Sequence, residues 1–254
     1  MPKYQDAMTM AYINVFAVLG SIPFLCEEEA SARALIEKDT VSLGFAVKNG
    51  PHATLFFDKG RVHMEEGCDK AQIRLDFSTP EQLNGMIDGT FTPFPRKGLL
   101  RVGFLLKRFT PLTDILSAYL RAEPEKLSDP VFFEKSTRIM LHLIVSAVAE
   151  IGNHEKIGMA SASYIPDGTV KVAIGEDFSV GLKAENHRLT AIHETPKEFF
   201  SYMKFRDIKT ARDLFDGKIN AVASVGEGAV RVGGMIPQVD NVNRILDRVA
   251  LYLQ

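Results

Sequence analysis

The feature that most constrains this chain is an internal repeat. Phe77-Ser-Thr-Pro-Glu-Gln-Leu-Asn-Gly-Met-Ile-Asp-Gly89 and Phe205-Arg-Asp-Ile-Lys-Thr-Ala-Arg-Asp-Leu-Phe-Asp-Gly217 stand 128 residues apart. Each runs from a strand end through a polar cap and a short amphipathic helix to Asp-Gly. Thr79 and Asp207 offer a side-chain oxygen to the unpaired amides at a helix start. Gly89 and Gly217 suit the left-handed position that ends a helix. A second pair, Gly98-Leu-Leu-Arg-Val-Gly103 and Gly228-Ala-Val-Arg-Val-Gly233, matches at an offset of 130. The reading is two diverged copies of one unit, residues 1–122 and 129–254, joined by the charged, proline-bearing stretch Ala122 to Pro130.

The elements of each copy follow the same order. Tyr12 to Ser21 aligns with Met140 to Ala149, apolar against apolar, with Asn14 falling on His142. Each copy therefore opens on an apolar helix, and the first continues into a second helical stretch, Cys26 to Lys38. Gln72 to Phe77 alternates, which sets Ile73, Leu75 and Phe77 on one face and Arg74 and Asp76 on the other. Asp58-Lys-Gly-Arg61 and Glu185-Asn-His-Arg188 read as equivalent hairpin turns. Thr110 to Leu120 and Pro237 to Leu251 read as closing helices. Strands grouped between helices predict an α+β fold, a mainly antiparallel sheet covered by helices, occurring twice.

Composition narrows the function. With 30 Lys and Arg against 32 Asp and Glu, the chain has no cationic excess to neutralise phosphates, so no nucleic-acid partner is expected. Cys26 and Cys68 stand far apart without a Cys-x-x-Cys spacing and read as reduced thiols of a cytoplasmic protein, with a single disulfide as the second reading. Tryptophan is absent and phenylalanine occurs 17 times, so the apolar bulk is aliphatic and Phe, fit to pack a core or line an apolar cavity. Ala7 to Leu25 carries no charge and approaches membrane-spanning length. Thr9, Asn14, Gly20, Ser21 and Pro23 dilute it, so it reads as a buried helix, with membrane contact as the second reading. Lys3 and Asp6 make a poor leader sequence.

Reactive side chains are sparse. His187, His193 and Glu185 could share a strand face, but a metal needs three or four converging ligands and no others can be placed. His187, His193 and His63 therefore read as surface histidines, and His142 as a buried, hydrogen-bonded one. No nucleophile elbow, phosphate loop or dinucleotide fingerprint occurs, and Gly226-Glu-Gly228 and Gly233-Gly234 are too short to cradle a phosphate. Asp76, Asp88 and Asp216 sit at polar or capping positions rather than as a catalytic pair. Glu27-Glu-Glu29 reads as the solvated or N-terminal face of a helix. No catalytic residue, metal or cofactor is expected.

The region after the short helix resembles the sterol carrier protein type-two family. Its pattern is a helix ending in Gly-Lys, a loop, then Gly-x-apolar-x-apolar-x-Gly and a closing helix. The second copy shows this in Asp216-Gly217-Lys218-Ile219 and Gly228 to Gly233. The first departs: Thr90 replaces the lysine, Pro93 and Pro95 stiffen the loop, and Phe104 follows the last glycine. The resemblance implies a sheet covered by helices around an apolar tunnel that binds lipids. The side chains set around such a tunnel are Phe77, Met86, Phe91, Phe94 and Phe104 in the first copy. In the second they are Phe205, Leu214, Phe215, Met235 and Ile236. Arg101 and Arg231, in matching positions on short apolar strands, read first as solvent-facing arginines; the functional reading places a cation at each mouth for a carboxylate or phosphate.

The expected function is non-enzymatic binding or transfer of a lipid or fatty-acyl-like molecule, with the second copy the better binder. A protein-interaction or oligomerisation module with a filled core, and an enzyme on a hydrophobic substrate, stand as alternatives. Transient membrane contact and a homo-oligomer stay open as further modes. The C-terminus reads Leu-Tyr-Leu-Gln rather than Ser-Lys-Leu, so a cytoplasmic rather than peroxisomal place is expected.

Overall fold

A computed structural model describes residues 6–253, Val222 by its backbone alone. Lys3 and Gln254 lie outside the described residues. The chain divides into two compact units, Met1–Asp129 and Pro130–Gln254.

The first unit opens with α1 (Ala7–Glu28), a continuous helix whose middle is π-helical over Ile13–Val18. After a break at Glu29 come α2 (Ala30–Ile36), β1 (Thr40–Val47), β2 (His52–Asp58), β3 (Arg61–Glu66) and β4 (Ile73–Phe77). Then follow α3 (Pro80–Ile87), the edge strand β5 (Pro95–Lys97) and the closing helix α4 (Thr110–Leu120). The strand order is β3-β2-β1-β4-β5. Every pair is antiparallel except the central one, β1 with β4. β1 is buried over Val41–Val47, on both of its faces. Gly44 makes this feasible on the outer face, because a Cβ there would lie 2.7 Å from that of Ala71, in the loop that crosses it.

By length and composition α1 could cross a membrane, but 61% of its most apolar stretch is buried in the protein. It packs on β2 and β3 and, at its start, on α3. Ile13, Val15, Leu19, Ile22 and Leu25 are all essentially inaccessible. At roughly 1.5–3 kcal/mol for each side chain taken from water, that packing is a large stabilising term.

The second unit repeats the plan with α5 (Pro130–His154), α6 (Lys156–Ala162), β6 (Gly168–Ile174), β7 (Phe178–Glu185), β8 (Arg188–Ile192) and β9 (Ser201–Phe205). It continues with α7 (Ile208–Phe215), α8 (Ala221–Gly226), β10 (Val230–Gly233) and α9 (Ile236–Tyr252). Its sheet runs β8-β7-β6-β9-β10, again with only the central pair, β6 with β9, parallel. Phe77 pairs with Val47 at the end of β4, and Phe205 with Ile174 at the end of β9. The Phe77 carbonyl accepts from Lys48 N and the Phe205 carbonyl from Gly175 N, at 2.9 and 3.0 Å. Lys59-Gly60 and Asn186-His187 form two-residue turns with positive φ at both positions, the twist that antiparallel strands require. Gly89 and Gly217 end their helices at φ 72° and 68°. The chain is thus one fold present twice.

The second repeat anchor is corrected. Gly233 ends strand β10, whereas Gly103 lies in a helical turn, Val102–Phe104. The fifth strand of the first unit comes earlier, at Pro95–Lys97, an edge position where proline's missing amide is tolerated. The true partner of Gly98 is Gly234. Both have positive φ, 84° and 101°. A Cβ on Gly98 would lie 2.6 Å from the Gln72 carbonyl oxygen, and one on Gly234 would lie 2.2 Å from that of Phe200. The second unit carries its extra residues before this point and folds them into α8.

Two smaller expectations also change. Thr79 occupies the cap position without a side-chain bond, and Gln82 Oε1 instead accepts from Ser78 N at 2.7 Å. Asp207 does cap, accepting from Thr210 N at 2.7 Å. Asn14 and His142 have different partners, Asn84 and His193. The better match at the end of the opening helices is Glu29 with Glu155, 126 residues apart, because the second copy has two more residues than the first between this glutamate and the phenylalanine that ends the fourth strand.

Candidate functional site

Exposed or half-buried apolar residues lie at both ends of the fourth strand of each unit, which spans roughly 13 Å; the near-end pair of the first unit, Leu99 and Leu100, is not among the predicted ligand residues. At the far end, Phe77 is fully buried and its ring lies 6.4 Å from that of Phe91, which with Met86 is half-buried. In the second unit buried Phe205 meets Phe215 edge-on at 5.5 Å, and Leu214 and Phe215 are half-buried. At the near end, beside the left-handed glycines, lie Leu99 and Leu100 in the first unit and Met235 and Ile236 in the second. Leu100 is fully exposed and Ile236 is 80% exposed, at equivalent positions. Met235 is held by its own amide, which donates to Ser201 Oγ at 2.9 Å.

The remaining candidates scatter. Phe104 lies edge-on against Phe57 at 5.1 Å, which pairs with Val41 at the start of β1 and so stands away from Phe77. Phe94 is 76% exposed. Arg101 and Arg231 are not equivalent: Arg101 is exposed in a 3₁₀ turn, Arg231 on β10 opposite Lys204. The false match of the glycine-bounded segments produced that pairing. Phe57, Phe45 and Phe109 escaped the sequence reading, although the buried alternation of β2 marks Phe57.

In each unit a glutamate ties the opening helices to the closing one. Glu29 accepts from Ser31 N at 3.1 Å and from the Tyr119 hydroxyl at 2.6 Å. Glu155 accepts from Gly158 N at 2.6 Å and from Arg248 Nη2 at 2.8 Å. The short helix is tied down too. Asn84 Nδ2 donates to the Ala7 carbonyl at 3.0 Å, and at the matching position buried Arg212 donates to Ser136 Oγ at 2.7 Å and to Asp216 Oδ1 at 2.9 Å.

His142 and His193 form a pair that sequence spacing could not disclose, their Nδ1 atoms 2.8 Å apart and their rings stacked at 5.1 Å. Phe178 borders His142 edge-on at 5.6 Å, and the Arg138 guanidinium lies 5.0 Å from the Phe178 ring centre. Burial, and then the neighbouring His193, push His142 down to about 3. Burial against its neighbours lowers His193 as well, although the residue remains exposed to solvent. His187 occupies the hairpin turn instead. Among the described residues no group of three or more His, Cys, Asp or Glu converges as a metal site would require. Asp76 bonds Arg74 and Arg96, Asp88 pairs with Arg121, and Asp216 with Arg212 and Lys218.

A cleft of about 310 Å³ opens between α7 and α8. Its wall is mixed: Arg206, Asp207, Lys209, Asp213, Asn220 and Glu227 stand beside Ile219, Ala223 and Ala229. Lys209 and Asp213 pair across one turn of α7. This is the place where the second unit has its insertion, and its charged side chains set it apart from the apolar positions beside Phe205.

The chain is similar in fold to sterol carrier protein domains. A "UbiJ-SCP2 Ubiquinone synthesis protein" matches with 16% identity and a TM-score of 0.33, over 43% of this chain and 97% of that one. The sterol carrier protein domain 2 of Helicoverpa armigera matches with 12% identity and a TM-score of 0.34, over 43% and 87%. A crystal structure of sterol carrier protein 2 matches with 14% identity and a TM-score of 0.33, over 43% and 92%. No family model matches the sequence, and no curated protein matches it. The duplication of the unit rests on the strand order and hydrogen bonds within this chain.

Proposed function

We propose that this chain binds, and passes on, a lipid or other hydrophobic molecule without chemistry on it, as a cytoplasmic protein. The observation that supports this is a repeated gradient of exposure. In both units an inaccessible Phe at the end of the fourth strand is fronted by half-open apolar side chains, and the strand's other end carries a bare aliphatic one. A side chain needed only for packing gains nothing from being left in water. A hydrocarbon laid against these positions gains about 0.8 kcal/mol for each methylene it buries. The second unit, whose β10 keeps the glycine-bounded strand, is the better binder in this reading.

Native mass spectrometry of freshly purified protein, followed by organic extraction, tests it. The expected result is a mass excess that extracts as an apolar molecule. Apo mass, together with no displacement of a fluorescent fatty-acid probe at micromolar protein, would overturn the carrier reading and favour an interaction module.

A further inference from the structure

The stretch from Phe94 to Arg108 of the first unit has an unusual surface. Residues 89–113 contain five cations, Arg96, Lys97, Arg101, Lys107 and Arg108, and no acidic residue. Arg96 and Arg108 are compensated by Asp76 and Asp39, at 3.2 and 3.3 Å. The Lys97 ammonium donates to the Ala71 carbonyl at 2.7 Å, a bond that leaves its charge uncancelled. Arg101 and Lys107 are exposed and make no ion pair among the described residues. Interleaved with these cations, Phe94, Leu99, Leu100 and Leu106 project into solvent.

The backbone that carries them is well held. It is helical turn upon turn through Leu99–Arg101, Val102–Phe104 and Leu105–Phe109, so most amides are satisfied internally. Phe104 rests on Phe57 and Phe109 on Phe45, with ring centres 5.1 and 5.7 Å apart. Gly98 fixes the start against β4. The apolar side chains are thus presented from an anchored segment. Helical backbone with apolar side chains among cations is what an anionic membrane interface receives, the first entering the acyl boundary and the second meeting the headgroups.

We propose that this segment docks the first unit on the surface of an anionic phospholipid bilayer. For its use this rests on the carrier reading, since a carrier must reach the surface where its cargo is exchanged. Charge decides between occupants. Uncancelled cations favour an anionic surface over a second copy of this chain, whose matching stretch, 217–241, balances Lys218 and Arg231 against Glu227 and Asp240.

Co-sedimentation of the full chain with vesicles tests the proposal. One set is phosphatidylcholine alone, the other contains about one third phosphatidylserine. We expect binding to the second set only, released by raised salt. Arg101→Gln with Lys107→Gln should weaken it about twenty-five-fold, at roughly fivefold for each cation. Leu99→Ser with Leu100→Ser, both at exposed positions, should abolish it with the Tm unchanged. Ile236→Ser in the second unit should leave it intact. Equal binding to both vesicle sets, or wild-type binding by either double variant, would overturn the proposal and pass docking to another element such as α1. A dimer in sedimentation equilibrium that Leu100→Ser dissociates, without vesicle binding, would overturn it in favour of a second copy. Extraction of the Arg101→Gln, Lys107→Gln variant, which spares the apolar positions proposed to meet the cargo, separates the two readings: this variant retaining lipid without docking supports both, whereas a lipid-free wild-type chain that docks removes the carrier reading alone.

Discussion

Gly98 and Gly234, 136 residues apart, hold the same left-handed turn against the start of the fourth strand, each too close to a carbonyl oxygen for a side chain. Gly89 and Gly217 share the conformation but have open space around them. Alanine therefore separates two costs. Gly89→Ala should lose about 1–2 kcal/mol, the left-handed penalty alone. Gly98→Ala and Gly234→Ala should lose about 3 kcal/mol or more, because the carbonyl cannot yield as a side chain would. Urea unfolding of the three variants checks the order, and equal losses would show the close approach to be unimportant.

The His142–His193 pair should make stability depend on pH. His142 is held near 3 in the fold and returns to its ordinary value, 6.5, on unfolding. Below 6.5 the unfolded chain thus binds the additional proton. Stability contributed by the neutral ring is complete above 6.5 and is lost as pH falls toward 3, by at most about 1.4 kcal/mol per pH unit. His142→Leu should flatten the slope of unfolding free energy between pH 6.5 and 4, measured in urea. An unchanged slope would assign it to the carboxylates.

Both thiols should be slow. Burial pushes Cys26 up to about 12 and raises Cys68, whose Sγ lies 2.9 Å from the Phe45 carbonyl oxygen. Ellman's reagent at mild alkaline pH should find neither thiol in the folded protein and both in denaturant. Rapid reaction of the folded protein would mean that α1 opens readily.

The glutamate ties should be unequal. Glu155→Ala removes a cap and leaves Arg248 without its carboxylate, and should cost about 2 kcal/mol. Glu29→Ala also removes a cap, the longer bond from Ser31 N, but leaves a neutral Tyr119 hydroxyl rather than a charged group to find water, and should cost about 1 kcal/mol. Thermal unfolding of the two variants measures the difference.

Local patterns were legible in the sequence wherever one residue type fits one backbone state. The hairpins at Lys59-Gly60 and Asn186-His187, the helix ends at Gly89 and Gly217, and the alternation of Ile73, Leu75 and Phe77 all belong to that class. The sheet edge did not. Gly98 and Gly228 open similar strings, yet proline at 95 starts the strand early in one unit and an inserted helix delays it in the other. The same slip paired Arg101 with Arg231. The histidine contact joins residues 51 apart through tertiary packing, which no spacing rule reaches.

The strand order has a consequence for synthesis. In each unit the central strand waits for a partner that arrives only after a hairpin and a loop, so β1 offers an unpaired edge until β4 emerges from the ribosome. Two copies of one topology in a single polypeptide mean that β9 is also a geometric candidate for that edge, and β4 for the edge of β6. Unlike side chains select the right partner: Ile73, Leu75 and Phe77 line up with Leu43, Phe45 and Val47, whereas β9 brings Ser201, Met203 and Phe205. Divergence between the copies thus acts as a safeguard against exchange, and the first unit gains from closing before the second has left the tunnel.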